Sequence, residues 1–193
     1  METKTILLVG VGGQGTILAG KILANVACLA GLDVKVSEIH GMSQRGGSVS
    51  TVVRIGDEVS TMVCDPGCAD IIVAFEAVEA LRYQSYLAEG GHMFVNDEQI
   101  TPVSVNIGNF TMPEGVEERL LGMGATLFDA GGIARRLGSP KSTNVVLVGA
   151  LSTALSFSDE LWREAVSTCV PPRTVEANLQ AFEAGRAAAS KTA

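Results

Sequence analysis

Apolar residues occur along this chain in short, unbroken runs that are separated by longer stretches with helical spacing. A run without polar alternation is typical of a strand that is buried on both faces of a parallel sheet. The pattern predicts such strands at residues 5–10, 34–36, 70–75, 92–95 and 126–128. Residues 49–55 instead alternate, and the Gly56-Asp57 turn that follows predicts a β-hairpin with a short partner around Val59.

Helical spacing fills most of the remaining chain. We expect helices at residues 14–30, 76–87, 114–121, 133–137, 144–155, 159–168 and 174–188, an extended segment at 101–111, and a frayed end at 186–193. Strands that alternate with helices predict the α/β class. The prediction is therefore a single Rossmann-like domain over residues 1–193, with a mostly parallel sheet, flanking helices and a helical C-terminal segment.

The composition is unusually apolar, since hydrophobic residues make up 47% and charged residues only 18% of the 193, with a mean hydropathy of +0.31. The longest apolar stretch, residues 144–155, falls short of the ~20 residues of a membrane span, so we expect no membrane segment. A net charge of −7 without a basic block argues against nucleic acid as a partner. The N-terminus lacks a signal-peptide pattern, which predicts a cytoplasmic protein. We expect a partner subunit to cover the surplus apolar surface.

The four cysteines, Cys28, Cys64, Cys68 and Cys169, are expected to be reduced thiols in that compartment. Cys64 and Cys68 are close in sequence, but structural zinc and iron–sulfur sites need about four ligands at close spacing. We therefore expect no metal site in this chain.

The segment Gly10-Val11-Gly12-Gly13-Gln14-Gly15 is a G-x-G-x-x-G motif between a predicted strand and a predicted helix. Glycines allow positive φ in such a turn and let the backbone approach a pyrophosphate at the helix N-terminus. Glu38, about 20 residues further on, stands where dinucleotide folds use a carboxylate to bind ribose. Two interpretations are equally supported at this point, namely NAD or FAD binding and a tight turn without a nucleotide.

A second polar cluster, residues 38–47, follows the second predicted strand, and strand C-termini face the ligand side of open parallel sheets. Arg45 is expected to bind a phosphate or carboxylate, or to cross a subunit interface. His40 is more often structural than a catalytic base in such a setting. Neither a nucleophile elbow, a zinc-protease motif nor a Walker lysine is present, so the residues alone form no complete catalytic constellation.

Taken together, the Gly12-Gly13-Gln14-Gly15 loop and residues 34–49 resemble the gamma-type domain of the 2-oxoacid:ferredoxin oxidoreductases. The sequence of residues 40–47 is His-Gly-Met-Ser-Gln-Arg-Gly-Gly. It is similar to the corresponding loop of the indolepyruvate branch and differs from that of the pyruvate and 2-oxoglutarate branches. Residues 70–82 also resemble the family's next strand and helix, and the resemblance covers nearly the whole chain.

The resemblance implies a small subunit that works with a larger alpha subunit. Family members oxidatively decarboxylate a 2-oxo acid on thiamine diphosphate, pass electrons through [4Fe–4S] clusters to ferredoxin, and yield an acyl-CoA. The indolepyruvate branch acts on aryl pyruvates. The thiamine diphosphate, its magnesium ion and the clusters are expected in the larger subunit, and this chain alone is expected to be inactive and to bind no cofactor.

The resemblance also indicates which loops carry function. We hypothesise that two neighbouring loops face the larger subunit, near the entrance for the 2-oxo acid or CoA. Their residues are Gly12, Gly13, Gln14 and Gly15 in one loop and His40, Ser43, Arg45, Gly46 and Gly47 in the other. Arg45 would meet a carboxylate or a CoA phosphate, and the glycine amides would add an anion nest. A stand-alone NAD(P)-dependent oxidoreductase that uses Glu38 on ribose is the alternative.

Overall fold

The computed structural model describes residues 1–40, 47–109 and 111–192. Within that part, the strands form one sheet in the order β2-β3-β1-β4-β5-β6. Their bounds are Lys4–Val11 (β1), Asp33–His40 (β2), Ser48–Gly56 (β3), Ala69–Ala74 (β4), Leu87–Asn96 (β5) and Thr126–Phe128 (β6). All the predicted strands are therefore present, although most extend by one to several residues beyond their predicted ends.

Helices precede, connect and follow these strands. Their bounds are Thr16–Leu29 (α1), Ala77–Tyr83 (α2), Val103–Asn106 (α3), Val116–Gly122 (α4), Ala130–Arg136 (α5), Thr143–Ser152 (α6), Asp159–Cys169 (α7) and Val175–Thr192 (α8). Short 3₁₀ turns occur at Gln84–Tyr86, Pro140–Ser142 and Pro172–Thr174. The predicted α/β class with flanking helices and a helical C-terminal segment is confirmed.

The sheet is mixed because β3 runs in the opposite direction to its two neighbours. β1, β4, β5 and β6 pair in parallel, whereas β3 pairs antiparallel with β1 on one side and with β2 on the other. The predicted hairpin between residues 49–55 and Val59 is wrong, since β3 pairs with β2 and β1, the two strands that precede it in the chain. Val59 instead donates its N–H to the Asp33 carboxylate at 2.8 Å.

Two apolar layers cover the faces of the sheet. On one face, α1, α6 and α8 pack against the sheet and α7 packs on α1 and α8, around the buried side chains of Ile22, Trp162 and Phe182. On the other face, α2 and α4 cover a smaller cluster that includes Leu81 and Leu120. Trp162 and Phe182 lie with ring centroids 5.6 Å apart, which confirms that they are packing residues.

Two local predictions about the helices are wrong. Residues 103–106 form α3 inside the segment expected to be extended. The chain end does not fray at residue 186, because α8 continues to Thr192 and buries Ala189, which is only 3% exposed. Across the described ranges, no helix combines the length and the apolarity that a membrane span requires.

The cysteines divide into two groups. Cys28 and Cys169 are free thiols, as expected. Cys64 and Cys68 form a disulfide, so the expectation of reduced thiols is wrong for this pair. The Asp65-Pro66-Gly67 turn, closed by the Cys68 N–H on the Asp65 carbonyl, brings their Cα atoms to 5.8 Å, a separation within the normal range for a disulfide.

Candidate functional site

The glycine loop and the end of the β2–β3 hairpin meet at the end of the sheet where β1 and β2 have their C-termini. Since β1 and β2 both pair antiparallel with β3, they run in the same direction and end at the same end of the sheet, on either side of β3. The register pairs Val11 with Ser48 and His40 with Val49. The Gly12 N–H donates to the Gly47 carbonyl at 2.9 Å. The structure thus brings together described members of both predicted loops.

Glycine is required at two positions in the turn from β1 into α1. Gly13 and Gly15 have φ of +102° and +87°, which L side chains rarely adopt. Gly15 is also the N-cap of α1, and a Cβ there would collide with the Asn144 side-chain amide. That amide donates to the Gly15 carbonyl at 3.3 Å. These contacts fix the loop against α6.

Gln14 ties the ends of two neighbouring strands together. Its Oε1 accepts the Val11 N–H at 2.9 Å, and its Nε2 donates to the Phe75 carbonyl at 3.0 Å. A Cβ on Gly10 would lie 2.7 Å from that Oε1 and 2.9 Å from the Phe75 Cβ. Gly10 therefore leaves room for the Gln14 amide, whose two ends hold the loop in shape.

A cavity of about 370 Å³, here called the glycine-loop cavity, opens beside β2. It is lined by Gly12, Gly13, Gly15, Thr16, Ile17, Glu38, His40 and Val49. Glu38 and His40 are both exposed at its rim. The structure therefore places His40 and Glu38 next to the glycine loop, as the sequence pattern predicted.

A second cavity, of about 470 Å³, lies between the ends of β1 and β4. The helices that follow these two strands, α1 and α2, cover opposite faces of the sheet, which makes this the topological switch point where α/β folds bind ligands. Its lining residues are Gly13, Gln14, Gly15, Phe75, Glu98, Pro140, Lys141, Thr143 and Asn144. Lys141 and Asn144 were missed by sequence reasoning because Asn144 is 129 positions from its partner Gly15, and no local pattern links them.

Two buried carboxylates, Glu76 and Glu79, lie behind the β2–β3 hairpin. Glu76 is the N-cap of α2 and accepts the N–H groups of Glu79 and Ile100 at 2.8 and 3.0 Å. Burial raises the pKa of Glu76, and these two hydrogen bonds oppose the rise. The Glu79 carboxylate accepts the Ser48 hydroxyl at 2.5 Å and the Arg82 Nε–H at 3.0 Å. Neither carboxylate was among the predicted site residues.

The remaining predicted residues, Ser43, Arg45 and Gly46, lie outside the described part of the chain. Gly47, the last residue of that predicted loop, is described and contacts Gly12. Of the glycine amides, the Gly12 N–H is thus already hydrogen-bonded, and the Gln14 N–H donates to the Val11 carbonyl at 3.3 Å. An anion nest in this loop would therefore have to use Gly13 and Gly15.

Residues 5–188 match the family model described as pyruvate ferredoxin/flavodoxin oxidoreductase. The chain belongs to this family. It is 43% identical over 198 residues to the indolepyruvate oxidoreductase subunit IorB of Thermococcus kodakarensis, covering 99% of this chain and 98% of the relative. It is 34% identical to the 2-oxoglutarate synthase subunit KorC of Methanothermobacter thermautotrophicus, covering 95% of this chain and 93% of that one.

The fold of this family member also matches a solved structure. The gamma subunit of a keto/oxoacid ferredoxin oxidoreductase from Geobacter sulfurreducens superposes with a TM-score of 0.72, at 28% identity, over 97% of this chain and 99% of that one. The family members compared here are subunits of oxidoreductase complexes, so the chain is an enzyme subunit. The alternative, a stand-alone NAD(P)-dependent oxidoreductase, is not favoured.

Proposed function

We propose that this chain is the small subunit of a 2-oxoacid:ferredoxin oxidoreductase that acts on aryl pyruvates of the indolepyruvate type. The observation that carries the proposal is the 43% identity, over nearly the whole of both chains, to a subunit named for indolepyruvate. The identity to a subunit named for 2-oxoglutarate is lower, at 34%. The proposed reaction is the oxidative decarboxylation of the 2-oxo acid to an acyl-CoA, with ferredoxin as the electron acceptor.

The proposed division of labour assigns the redox chemistry to a larger subunit. Thiamine diphosphate with its magnesium ion would supply the decarboxylation there, and [4Fe–4S] clusters would carry the electrons. In this chain, the described residues contain no group of three His, Cys, Asp or Glu side chains arranged to hold a metal ion. Cys64 and Cys68 are bonded to each other. On this proposal, this chain contributes part of the wall and the charged side chains of the entrance for the 2-oxo acid or CoA. A cytoplasmic location stays a prediction.

The proposed entrance lies at the C-terminal ends of β1 and β2, where the two loops meet. Arg45, with Ser43 and Gly46 in the same loop, would bind the carboxylate of the 2-oxo acid or a phosphate of CoA. Support comes from the described ends of that loop, His40 and Gly47, which lie beside the glycine-loop cavity and the Gly12 N–H. The free energy of such a contact is large because a guanidinium binds an oxyanion through paired, charge-assisted hydrogen bonds.

The same end of the sheet is proposed to meet the larger subunit. Three large apolar side chains are exposed near it, namely Ile17 at 53% and Val36 at 43% on the face of the sheet that α1 covers, and Ile39 at 67% on the opposite face. Val36 and Ile39 belong to β2, the outermost strand of the sheet at this side, whose free edge is also available for contact. A partner that covered these side chains would gain the free energy of removing them from water.

The test is an assay of the reconstituted complex with indolepyruvate, pyruvate and 2-oxoglutarate as competing substrates. We expect CoA-dependent ferredoxin reduction only when both subunits are present, with the highest kcat/KM for indolepyruvate. Arg45→Ala is expected to raise the KM for the 2-oxo acid or for CoA about tenfold, as for loss of a charged hydrogen bond. Saturable binding of NAD(H) by the isolated chain, seen as a thermal shift, would instead support the stand-alone alternative.

A further inference from the structure

Glu79 is a buried carboxylate that is hydrogen-bonded to Ser48, a neighbour in sequence of two residues at the proposed entrance. The residue is only 4% exposed, and its carboxylate oxygens bind two side chains from different directions, the Ser48 hydroxyl at 2.5 Å and the Arg82 Nε–H at 3.0 Å. A carboxylate at such depth costs free energy unless it is hydrogen-bonded on both oxygens. Arg82 remains 55% exposed, so solvent screens its half of the arrangement.

Ser48 adjoins both the contact between the two loops and the glycine-loop cavity. It is the first residue of β3 and lies between two residues that shape the entrance. Gly47, just before it, accepts the Gly12 N–H, and Val49, just after it, lines the glycine-loop cavity. Any shift of Ser48 therefore moves the contact between the two loops and one wall of the cavity together.

We infer that Glu79 is a positioning residue that acts through Ser48 to hold the β2–β3 hairpin end against the glycine loop. This inference rests on the proposed function, because the cavity matters for turnover only if the entrance lies there. Glu79 itself lies behind the hairpin, in a smaller cavity of about 160 Å³ lined with Ser48, Glu76 and Arg82. Its effect on substrate is transmitted by the serine hydroxyl and not by direct contact.

A purely structural role predicts a different outcome from a positioning role. If Glu79 only stabilised α2, its loss would lower the melting temperature and leave the KM values of the folded complex unchanged. If it positions Ser48, then removal of the hydroxyl alone must disturb the entrance although α2 keeps its Glu79–Arg82 ion pair. Ser48→Ala is therefore the informative variant, and Ser48→Thr, which retains a hydroxyl, is its conservative counterpart.

The kinetic test uses the assembled two-subunit complex. We expect Ser48→Ala to raise, about tenfold, the KM of the same substrate that responds to Arg45→Ala, with kcat within about twofold of wild type. Ser48→Thr should restore the KM to within about threefold. Glu79→Ala combined with Ser48→Ala should be no worse than the more impaired single variant, since both substitutions remove the same Ser48–Glu79 hydrogen bond. Glu183→Gln, which breaks the distant surface pair with Arg163, is the matched control.

A second readout does not depend on activity. Hydrogen exchange of the folded chain should show faster exchange in peptides covering residues 10–16 and 47–50 for Ser48→Ala, and no change there for Ser48→Thr or Glu183→Gln. Unchanged exchange and unchanged KM in Ser48→Ala would overturn the inference. If the wild-type complex turned over no 2-oxo acid, but Ser48→Ala still showed faster exchange at these peptides, the proposed function would be contradicted and the positioning role of Glu79 would be supported.

Discussion

Glu76 and Glu79 are buried carboxylates on the same turn of chain, yet different groups compensate their charges. Glu79 has the Arg82 guanidinium and a hydroxyl as partners, whereas the Glu76 oxygens accept the N–H groups of Glu79 and Ile100. Burial removes the Glu76 carboxylate from water, the neighbouring Glu79 carboxylate repels it, and the two hydrogen bonds oppose both effects only in part. Burial therefore raises the pKa of Glu76 above its ordinary value of 4.5.

This shift predicts how Glu76 contributes to stability as the pH changes. Because its pKa is higher in the folded than in the unfolded chain, its favourable contribution is fully present below pH 4.5 and is lost as the pH rises through the raised folded value. Glu76→Gln cannot ionise, so its free energy of unfolding should lack this slope. We expect the stability advantage of wild type over Glu76→Gln to shrink from pH 4.5 upward.

Urea denaturation of both chains at several pH values measures the difference. Glu176→Gln is a suitable control, because Glu176 is exposed on α8 and its carboxylate accepts the exposed Gln180 amide. A difference between wild type and Glu76→Gln that stays constant with pH would contradict the prediction.

At this scale, sequence reasoning identified the glycines and missed the carboxylates. Gly13 and Gly15 belong to a contiguous motif whose spacing has a known conformational meaning. Glu79 and Ser48 are 31 positions apart, and the contact arises only because β3 turns back beside β1. A serine and a glutamate at that separation carry no periodic or motif signal. Gln14 was correctly assigned to the loop, but its bonds to Val11 and Phe75 depend on the strand order.

At the scale of elements, α6 and α8 pack with their backbones in close approach. A Cβ on Gly149 of α6 would collide with the Phe182 carbonyl, and a Cβ on Gly185 of α8 would collide with the Val146 carbonyl. Two helix backbones approach this closely only where both present glycine. The close packing of α6 and α8 therefore requires glycine at both positions. This explains why glycine occurs inside these two helices despite its low helix propensity.

Substitution of either glycine should destabilise the protein despite the gain in helix propensity. We expect Gly149→Ala and Gly185→Ala each to lower the free energy of unfolding by ~1–3 kcal/mol or more, because the backbones must separate. Gly122→Ala is the matched control, since Gly122 ends α4 and, among the described residues beyond its own helical turn, no atom lies within 4 Å of the position of its Cβ. It should be neutral or slightly stabilising. Thermal and urea unfolding measure all three, and equal effects at the three sites would contradict the packing argument.

The sequence pattern predicted the presence of the strands and helices better than the direction of each strand in the sheet. β3 has Val52 and Val53 buried on opposite faces of the sheet, which is the pattern of any central strand whatever its direction. Its antiparallel course is seen only in its pairing with β1 and β2, which hydropathy does not report. Likewise, the alanines of α8 look dispensable in sequence, but Ala189 is buried against the helical layer. Small side chains bury little area individually, so their packing role depends on what lies opposite.

At the scale of the whole molecule, large apolar side chains of the described residues are exposed at several places, and those of β2 and the start of α1 are the ones near the glycine-loop cavity. The sheet has two edges, and β2 at one edge carries Val36 and Ile39 exposed, with Ile17 of α1 close to the same cavity. At the other edge, α4 packs near β6 and exposes Leu121 at 50%. The proposed interface uses only the first of these edges, because the glycine-loop cavity and the described ends of the predicted site loop lie there.

This asymmetry predicts that one apolar side chain matters for assembly and another of similar exposure does not. Ile39→Ser removes an apolar group that is 67% exposed in the isolated chain, and we expect it to weaken binding to the larger subunit about tenfold or more, as for ~1.5–3 kcal/mol of lost apolar burial. Leu121→Ser should leave that affinity unchanged. Titration of each folded variant against the purified larger subunit measures the two dissociation constants. Because both residues are already solvent-exposed in the free chain, neither substitution should lower its melting temperature appreciably, so that a change in affinity reports contact. Equal affinities for Ile39→Ser and wild type would exclude the β2 edge from the interface and require the larger subunit to dock elsewhere.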